Sequence, residues 1–168
     1  QYNCSIIDRY DEFDESFDRK TGGYEELKNR LLDYSVKIHK DNFIDPNNKN
    51  LFNSFDIVTN FSVIEHLILS PNKTINSLSK FLKNNGILFL TTPNQAHAFN
   101  RIKLLFGYNV WEDIKTFQND PIFYGHVREY LLSEIEEMTC LQDNLKLIES
   151  GGTNYPIISF INKKIENS

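Results

Sequence analysis

The sequence has few cysteines, few glycines and no long apolar run, and each shortage argues against a class of protein. Its two cysteines, Cys4 and Cys140, lie far apart without a metal-binding spacing, so we expect reduced thiols in a cytoplasmic protein. None of the seven glycines forms a G-x-G-x-x-G turn, which argues against a nicotinamide dehydrogenase. No stretch approaches the roughly 20 apolar residues of a membrane span. We therefore expect no membrane partner.

Positive charge is also scarce. The 168 residues carry a formal net charge of -5 and no basic stripe, which argues against nucleic-acid binding through phosphate contacts. A hydrophobic content of 40% is enough for a buried core, and the length predicts one domain, residues 1–168.

Short apolar runs that alternate with helical periods predict an α/β fold. We expect strands near residues 3–8, 36–40, 55–59 and 87–91, and an antiparallel pair near 145–150 and 156–162. Helices are expected near 24–34, 70–83 and 130–141. The spacing of Ser133 and Glu136 predicts a capping box in the last helix.

Two of the expected strands end in polar residues of the kind that bind ligands: one leads into Asn60–Leu67 and the other into Thr91–Asn94. The strand Phe55–Thr59 leads into Asn60–Leu67, which contains Glu65 and His66. Ligands bind at the carboxyl ends of strands in open parallel sheets. Glu65 and His66 are adjacent, so on a regular helix they would point about 100° apart. They can converge only at a turn or at the start of a helix.

The same residues resemble the middle of a class I S-adenosylmethionine-dependent methyltransferase. The likeness rests on Phe55-Asp56-Ile57-Val58, Ser62-Val63-Ile64-Glu65-His66-Leu67, Pro71, Leu82-Lys83-Asn84-Asn85-Gly86, Leu88 and Leu90-Thr91-Thr92-Pro93-Asn94. Gly125-His126-Val127-Arg128-Glu129-Tyr130, followed by Glu134, is similar to a segment near the end of the catalytic domain in one branch. The resemblance implies a Rossmann-like sheet, mostly parallel, with a C-terminal antiparallel pair.

The resemblance also implies S-adenosylmethionine as the cofactor. Asp8, at the end of the second strand of the family, would bind the ribose hydroxyls; Asp11 or Glu12 could do so instead. Asp41 and Asn42 would reach the adenine. Asn60 and Phe61 would lie near the methionine end. The alternatives are a strand-end cap at Asp8 and a plain turn at Asp41.

Glu65, His66 and His126 are the expected catalytic residues. His66 or His126 would be the general base on an acceptor hydroxyl, with Glu65 orienting it. The small-RNA 3′-end 2′-O-methyltransferases hold a divalent metal with Glu-x-x-Glu-His and a later His, but here the first Glu is Ser62, and we assign no metal. A metal on the three retained residues, or a structural role for Glu65 and His66, remain as alternatives. Arg128 and Glu129 are expected to form structural or surface pairs.

A feature of the family is missing from the sequence. Class I enzymes bind the cofactor first through a glycine-rich turn after strand one, whose open backbone approaches the methionine carboxylate. The chain begins with Gln1, and the run Tyr2–Ile7 corresponds to strand two. We therefore expect an N-terminally truncated fragment that lacks strand one and is itself inactive. The alternative is a degenerate domain that a partner completes.

The expected function is methyl transfer to an oxygen of a small molecule or glycan. Residues 96–124 are rich in aromatic and aliphatic side chains, which predicts a lid over the acceptor. A helix near Phe99–Phe106 would pack an apolar face onto the site and leave Arg101 and Lys103 toward water. The alternative is a non-catalytic methyltransferase-like module that binds a partner.

Overall fold

A computed structural model describes residues 3–8, 23–111, 113–119, 125–152 and 156–164. The strands are β1 (Ser5–Asp8), β2 (Lys37–Lys40), β3 (Phe55–Phe61), β4 (Leu82–Pro93), β5 (Leu145–Gly152) and β6 (Pro156–Lys163). The helices are α1 (Gly23–Asp33), α2 (Pro71–Phe81), α3 (Ala98–Leu105), α4 (Ile114–Asn119) and α5 (Leu132–Cys140). Every expected strand and helix is confirmed, although β4 begins at Leu82 rather than near residue 87. Within these ranges no helix has the length and apolar character to cross a membrane.

The chain divides into two compact units, Gln1–Asn50 and Leu51–Ser168. In the first unit β1 and β2 pair in parallel, with Ser5 opposite Lys37 and Asp8 opposite Lys40. α1 precedes β2, and the turn between them passes through Ser35, whose φ of 58° lies in the left-handed region. The parallel pairing places the carboxyl ends of both strands, with Asp8 and Asp41, at the same edge.

The second unit contains a mixed sheet with the strand order β3-β4-β6-β5. β3 and β4 are parallel, and β6 is antiparallel to both of its neighbours, β4 and β5. β3, β4 and β5 therefore run in one direction and β6 in the other. The predicted C-terminal antiparallel pair is confirmed. It is not a separate hairpin, because β6 lies between β4 and β5.

The core of the second unit follows from the side-chain periods of its elements. On β4 every second side chain, at Leu88, Leu90 and Thr92, is fully buried, as expected for one face of a strand. α2 buries Ile75, Leu78 and Phe81, three residues apart along one face of the helix. α2 contacts both β3 and β4, the two strands at whose ends the site lies.

A tight backbone approach sets β3 against the start of β4. A Cβ atom at Gly86 would lie 2.9 Å from the Lys83 carbonyl oxygen and 3.1 Å from the Phe55 carbonyl oxygen. Asn85, just before it, has a φ of 63°. A side chain at position 86 would push β3 away from β4, and so glycine is required there.

The predicted capping box of the last helix is wrong in its position. α5 begins at Leu132, so Ser133 already lies within the first turn and cannot be the N-cap. The N–H of Leu131 donates to Glu134 Oε2 at 2.8 Å, and the N–H of Glu134 donates to the Leu131 carbonyl at 3.1 Å. Glu136 instead accepts a short hydrogen bond from the Ser150 hydroxyl on β5.

Candidate active site

The site lies where the parallel strands β3 and β4 end side by side. Phe61, the last residue of β3, is opposite Thr91. β4 continues to Pro93, and the residues that follow Phe61 and Pro93 leave the sheet at the same edge, as the sequence predicted.

A sharp turn follows β3. Ser62 has a φ of 51°, in the left-handed region that non-glycine residues rarely adopt, and its N–H donates to the Thr91 carbonyl at 3.0 Å. Ile64–His66 then forms one turn of 3-10 helix. This confirms that Glu65 and His66 lie in a turn, and the turn sends their side chains into different environments: Glu65 is fully buried and His66 is exposed.

The buried Glu65 carboxylate is held from the end of β4. Thr92 Oγ1 donates to Glu65 Oε2 at 3.2 Å, and both side chains are fully buried. Glu65 Oε1 has no hydrogen-bond partner within the described ranges, and neither does Asn60 Oδ1, also buried. Buried acceptors without partners are costly, so these two oxygens are suited to donors from a bound molecule.

A second segment, residues 125–130, is attached to this turn by its backbone. The N–H groups of Val127 and Arg128 both donate to the Glu65 carbonyl, at 2.8 Å and 3.2 Å. At the other end of the segment, the Tyr130 carbonyl accepts a hydrogen bond from the Gln95 N–H at 3.1 Å. The segment thus connects the end of β3 to the chain after β4.

This attachment brings His126 against His66. The ring centroids are 4.9 Å apart, with 68° between the planes. His66 Nδ1 lies 3.2 Å from the Gly125 carbonyl oxygen, and His126 Nδ1 lies 2.9 Å from Glu129 Oε1. Both partners are acceptors, so each hydrogen bond requires a proton on Nδ1. The neutral rings then carry their lone pairs on Nε2.

Glu65, His66 and His126 each place a ligand atom within 4.8 Å of the other two. Two imidazole nitrogens and one carboxylate oxygen are a donor set that suits a divalent transition metal, and hydrogen-bonded Nδ1 atoms are typical of ligating histidines. The same arrangement suits a general base, because an imidazole with a fixed Nδ1 proton accepts a proton at Nε2.

A family model for methyltransferase domains matches residues 6–146. The chain belongs to the methyltransferase-domain family. The match spans both strand-end motifs and His126. A search of curated proteins finds no significant match.

Several solved structures share the fold, and some of them are described as methyltransferases. A Pyrococcus horikoshii OT3 protein has a TM-score of 0.63 at 17% identity, over 97% of this chain and 72% of its own. A possible histamine N-methyltransferase from Thermotoga maritima has a TM-score of 0.58 at 12% identity, over 98% and 84%. An O-methyltransferase of neocarzinostatin biosynthesis has a TM-score of 0.59 at 14% identity, over 97% and 42%. At these identities the likeness concerns the fold.

The family implies S-adenosylmethionine, and the first unit of the methyltransferase domain holds three of its expected contacts. Asp8 is exposed at the end of β1, and its carbonyl accepts a hydrogen bond from the Asp41 N–H at 3.0 Å. Asp41 Oδ1 accepts from the N–H of Asn42 at 2.8 Å and from the backbone and side chain of Asn47, both at 3.1 Å. Its Oδ2 accepts from the Asn48 N–H at 2.9 Å.

Asp41 therefore shapes its own loop. The N–H groups of Asn48 and Asn47 hold the pKa of the Asp41 carboxyl below its ordinary value. Oδ2 has one described partner and keeps room for a second hydrogen bond. Asn42 Oδ1 accepts from the Ile44 N–H at 3.0 Å, a local turn bond.

In the second unit, Asn60 and Phe61 lie at the end of β3. The Asn60 Oδ1 without a described partner is consistent with a polar cofactor group at this edge. Phe61 is half exposed and meets Phe89 edge to face, with 5.1 Å between centroids. Asp11 and Glu12, the alternative ribose contacts, lie outside the described residues.

The sequence missed how the two histidines are oriented. We expected Glu65 to orient the base, but no hydrogen bond between described residues joins Glu65 to either imidazole. Glu129 forms the expected pair, and its partner is His126, which the sequence did not predict. Arg128 does form the expected ion pair, with Glu134. The three-residue spacing of His126 and Glu129 was the one sequence feature that could have predicted this hydrogen bond. The same spacing is common in helices and in loops, so it does not identify such a bond.

Two further residues support the site, Thr92 and Tyr130, which lie within the motifs of the resemblance but were given no role there. Tyr130 is buried, and this burial raises the pKa of its hydroxyl, with Glu134 and Glu65 adding to the rise. The Arg128 guanidinium, 5.6 Å from the centroid of the Tyr130 ring, opposes it. Tyr130 thus remains a neutral hydroxyl next to the attachment point of the His126 segment.

The helix expected in the lid is present as α3, but its apolar face does not pack onto the site. Asn100 is its one buried residue in the structure, while Phe99, Ile102, Leu104 and Leu105 are all more than half exposed. The sequence predicted the helix α3 correctly, but the expected burial of its apolar face is wrong. Glu112 and residues 120–124 of the expected lid lie outside the described residues.

Proposed function

We propose that the domain transfers the methyl group of S-adenosylmethionine to a hydroxyl oxygen of a small molecule or glycan. The observation that carries the proposal is the hydrogen bond from His126 Nδ1 to Glu129, at the ligand-binding edge of a methyltransferase-family sheet. A carboxylate-oriented imidazole is suited to removing the proton of a weakly acidic hydroxyl.

The bound cofactor supplies a methyl group on a sulfonium, which is a good leaving group. Nε2 of His126 would accept the proton of the acceptor hydroxyl; the carbon–sulfur bond would break as the methyl group passes to that oxygen, and the sulfur would leave as a neutral thioether. Glu129 stabilises the resulting imidazolium by the 2.9 Å hydrogen bond to Nδ1. The His66 ring, whose centroid lies 4.9 Å from that of His126, is the second candidate for the same role, and a carboxyl oxygen of buried Glu65 lies within 4.8 Å of a ring nitrogen of each histidine.

A small hydroxylated acceptor has support from a structural neighbour. The neocarzinostatin O-methyltransferase was crystallised with 1,4-dihydroxy-2-naphthoic acid, a compact ring that carries hydroxyl groups. A lid over such an acceptor, residues 96–124, stays a proposal, because the apolar side chains of α3 are exposed and do not pack onto the site. Trp111 is half exposed after α3, available to stack on a ring.

For the cofactor, we propose that Asp8 binds the ribose hydroxyls and that Asp41 Oδ2 with Asn42 binds the adenine edge. Asn60 and Phe61 would contact the methionine end, where Asn60 Oδ1 is an acceptor without a described partner. Each assignment uses a polar group at the carboxyl end of a parallel strand.

We further propose that a strand with a glycine-rich turn pairs with β3. Among the described strands β3 has one neighbour, β4, and it exposes Ile57 and Phe61. An exposed edge strand presents a row of backbone N–H and C=O groups with which a further strand can pair. This added strand would supply the backbone donors for the methionine carboxylate. We call the domain with this strand present the completed enzyme.

The test compares His126→Gln and His66→Gln in the completed enzyme, with His39→Gln, on β2, as the matched control. We expect His126→Gln to lower kcat about a hundredfold or more with 1,4-dihydroxy-2-naphthoic acid as probe acceptor. Cofactor affinity by calorimetry should be unchanged. A fall in affinity with kcat preserved would make His126 a binding residue.

A second measurement separates the base from a metal site. Full activity after exhaustive EDTA treatment agrees with a base mechanism. Activity that is lost with EDTA and restored by Mn²⁺ or Zn²⁺ would show that the three residues are ligands, because chelation leaves a general base intact.

A further inference from the structure

α3 and the residues after it expose an apolar surface, which we call the apolar segment (residues 98–111). α3 buries Asn100, a polar residue whose Nδ2 donates to the Gln95 carbonyl at 3.0 Å. The large apolar side chains of the segment are 48% to 80% exposed: Phe99, Ile102, Leu104, Leu105, Phe106, Tyr108 and Trp111. Such a contiguous exposed run marks a binding surface.

The apolar exposure extends around most of the helix. With 3.6 residues per turn, Phe99 and Leu104 lie about 140° apart around the axis, and Leu105 lies on another side again. A helix in a protein groove presents one apolar stripe at positions three and four apart. The exposed apolar side chains of α3 are therefore spread more widely than one stripe, which favours a broad apolar surface, such as the outer acyl region of a bilayer, over a groove.

The apolar segment carries positive charge only. The sequence contains no Asp or Glu between Glu65 and Glu112, although the whole chain has a net charge of -5. Arg101 and Lys103 are both exposed on α3. In a two-fold dimer formed through this surface, the same cations would face one another. The charge therefore disfavours a second copy and favours an anionic surface.

We propose that the apolar segment docks on the surface of a lipid bilayer that contains anionic headgroups. Leu105 and Phe106 enter the outer acyl region, while Arg101 and Lys103 bind the phosphates. Tyr108 and Trp111 have the amphipathic rings that concentrate at the boundary of water and lipid. Docking of this kind needs no membrane span, so it is compatible with the absence of a long apolar run.

Flotation with lipid vesicles tests the proposal on the whole chain. We expect binding to phosphatidylcholine vesicles that contain phosphatidylglycerol, weaker binding to pure phosphatidylcholine, and weakening by added salt. The double substitution Leu105→Ser and Phe106→Ser should lower the partition coefficient at least about tenfold, because it removes two large apolar side chains. Lys103→Glu should lower it about fivefold or more, because it reverses one surface charge.

Leu141→Ser and Lys146→Glu are the matched controls, since both residues are exposed elsewhere in the second unit; they should leave binding unchanged. Equal binding to neutral vesicles, no binding, or binding that survives the double substitution would overturn the proposal. So would a dimer, measured by analytical ultracentrifugation, that the double substitution dissociates. Thermal melts check that each variant is folded. The Lys103→Glu variant keeps all the apolar side chains of the segment, so it tests the role of charge alone.

Discussion

At the scale of single residues, the site depends on which nitrogen of His126 carries the proton. The Glu129 carboxylate fixes that proton on Nδ1 across 2.9 Å, and the two side chains are 26% and 18% exposed. Partial burial makes such a charge-assisted bond stronger than it would be on the open surface. Glu129 is thus a positioning residue that acts through His126.

We therefore predict that Glu129→Gln lowers kcat of the completed enzyme by about tenfold to a hundredfold. The glutamine amide oxygen can still accept the hydrogen bond from the Nδ1–H of His126, but it carries no charge that would stabilise the imidazolium. Cofactor affinity, measured by calorimetry, should not change. Glu137→Gln, on the exposed face of α5, is the control and should retain full activity. An equal effect of both variants would remove the assigned role.

At the scale of elements, the close approach of β3 to the start of β4 depends on Gly86. We predict that Gly86→Ala lowers the free energy of unfolding by about 1–3 kcal/mol, because the new Cβ meets two backbone carbonyls that cannot move independently. Gly151→Ala is the matched control on β5, with no atom within 4 Å of the added Cβ. Urea unfolding of both variants measures the difference. Equal midpoints would show that β3 and β4 can separate at no cost.

The proposed lid leads to a second prediction at this scale. Trp111→Ala should raise the KM for the probe acceptor about two- to tenfold, the worth of one aromatic stacking contact. Tyr34→Ala, an exposed aromatic residue after α1, should leave KM unchanged. A Trp111 variant with unaltered acceptor kinetics and a lower melting temperature would assign Trp111 to folding instead.

The sequence predicts these elements well because their periods are local. Ile75, Leu78 and Phe81 define a helical face, and Leu88 and Leu90 define a strand face, from spacing alone. The exposure of Leu105 could not be predicted, because apolar composition gives no information on what covers a helix. The His126–Glu129 bond depends on how residues 125–130 attach to the Glu65 carbonyl, which is a contact between distant segments.

At the scale of the whole molecule, the proposed cofactor site depends on the strand that we propose to pair with β3. We predict that residues 1–168 alone do not bind S-adenosylmethionine with micromolar affinity, because no glycine-rich turn in the sequence offers donors to the methionine carboxylate. Calorimetry on residues 1–168 and on the completed enzyme makes the comparison. Micromolar binding by residues 1–168 would place the carboxylate donors within the present sheet.

The left-handed backbone at Ser62 restricts how this site can evolve. Residues three apart share a face only when both lie in one helix, and Ser62, with a φ of 51°, lies outside the 3-10 turn that carries Glu65. A glutamate gained at position 62 would leave the backbone in a different direction from Glu65. Because positions 62 and 65 do not share a helical face, we do not expect a glutamate at position 62 alone to add a fourth ligand to Glu65, His66 and His126.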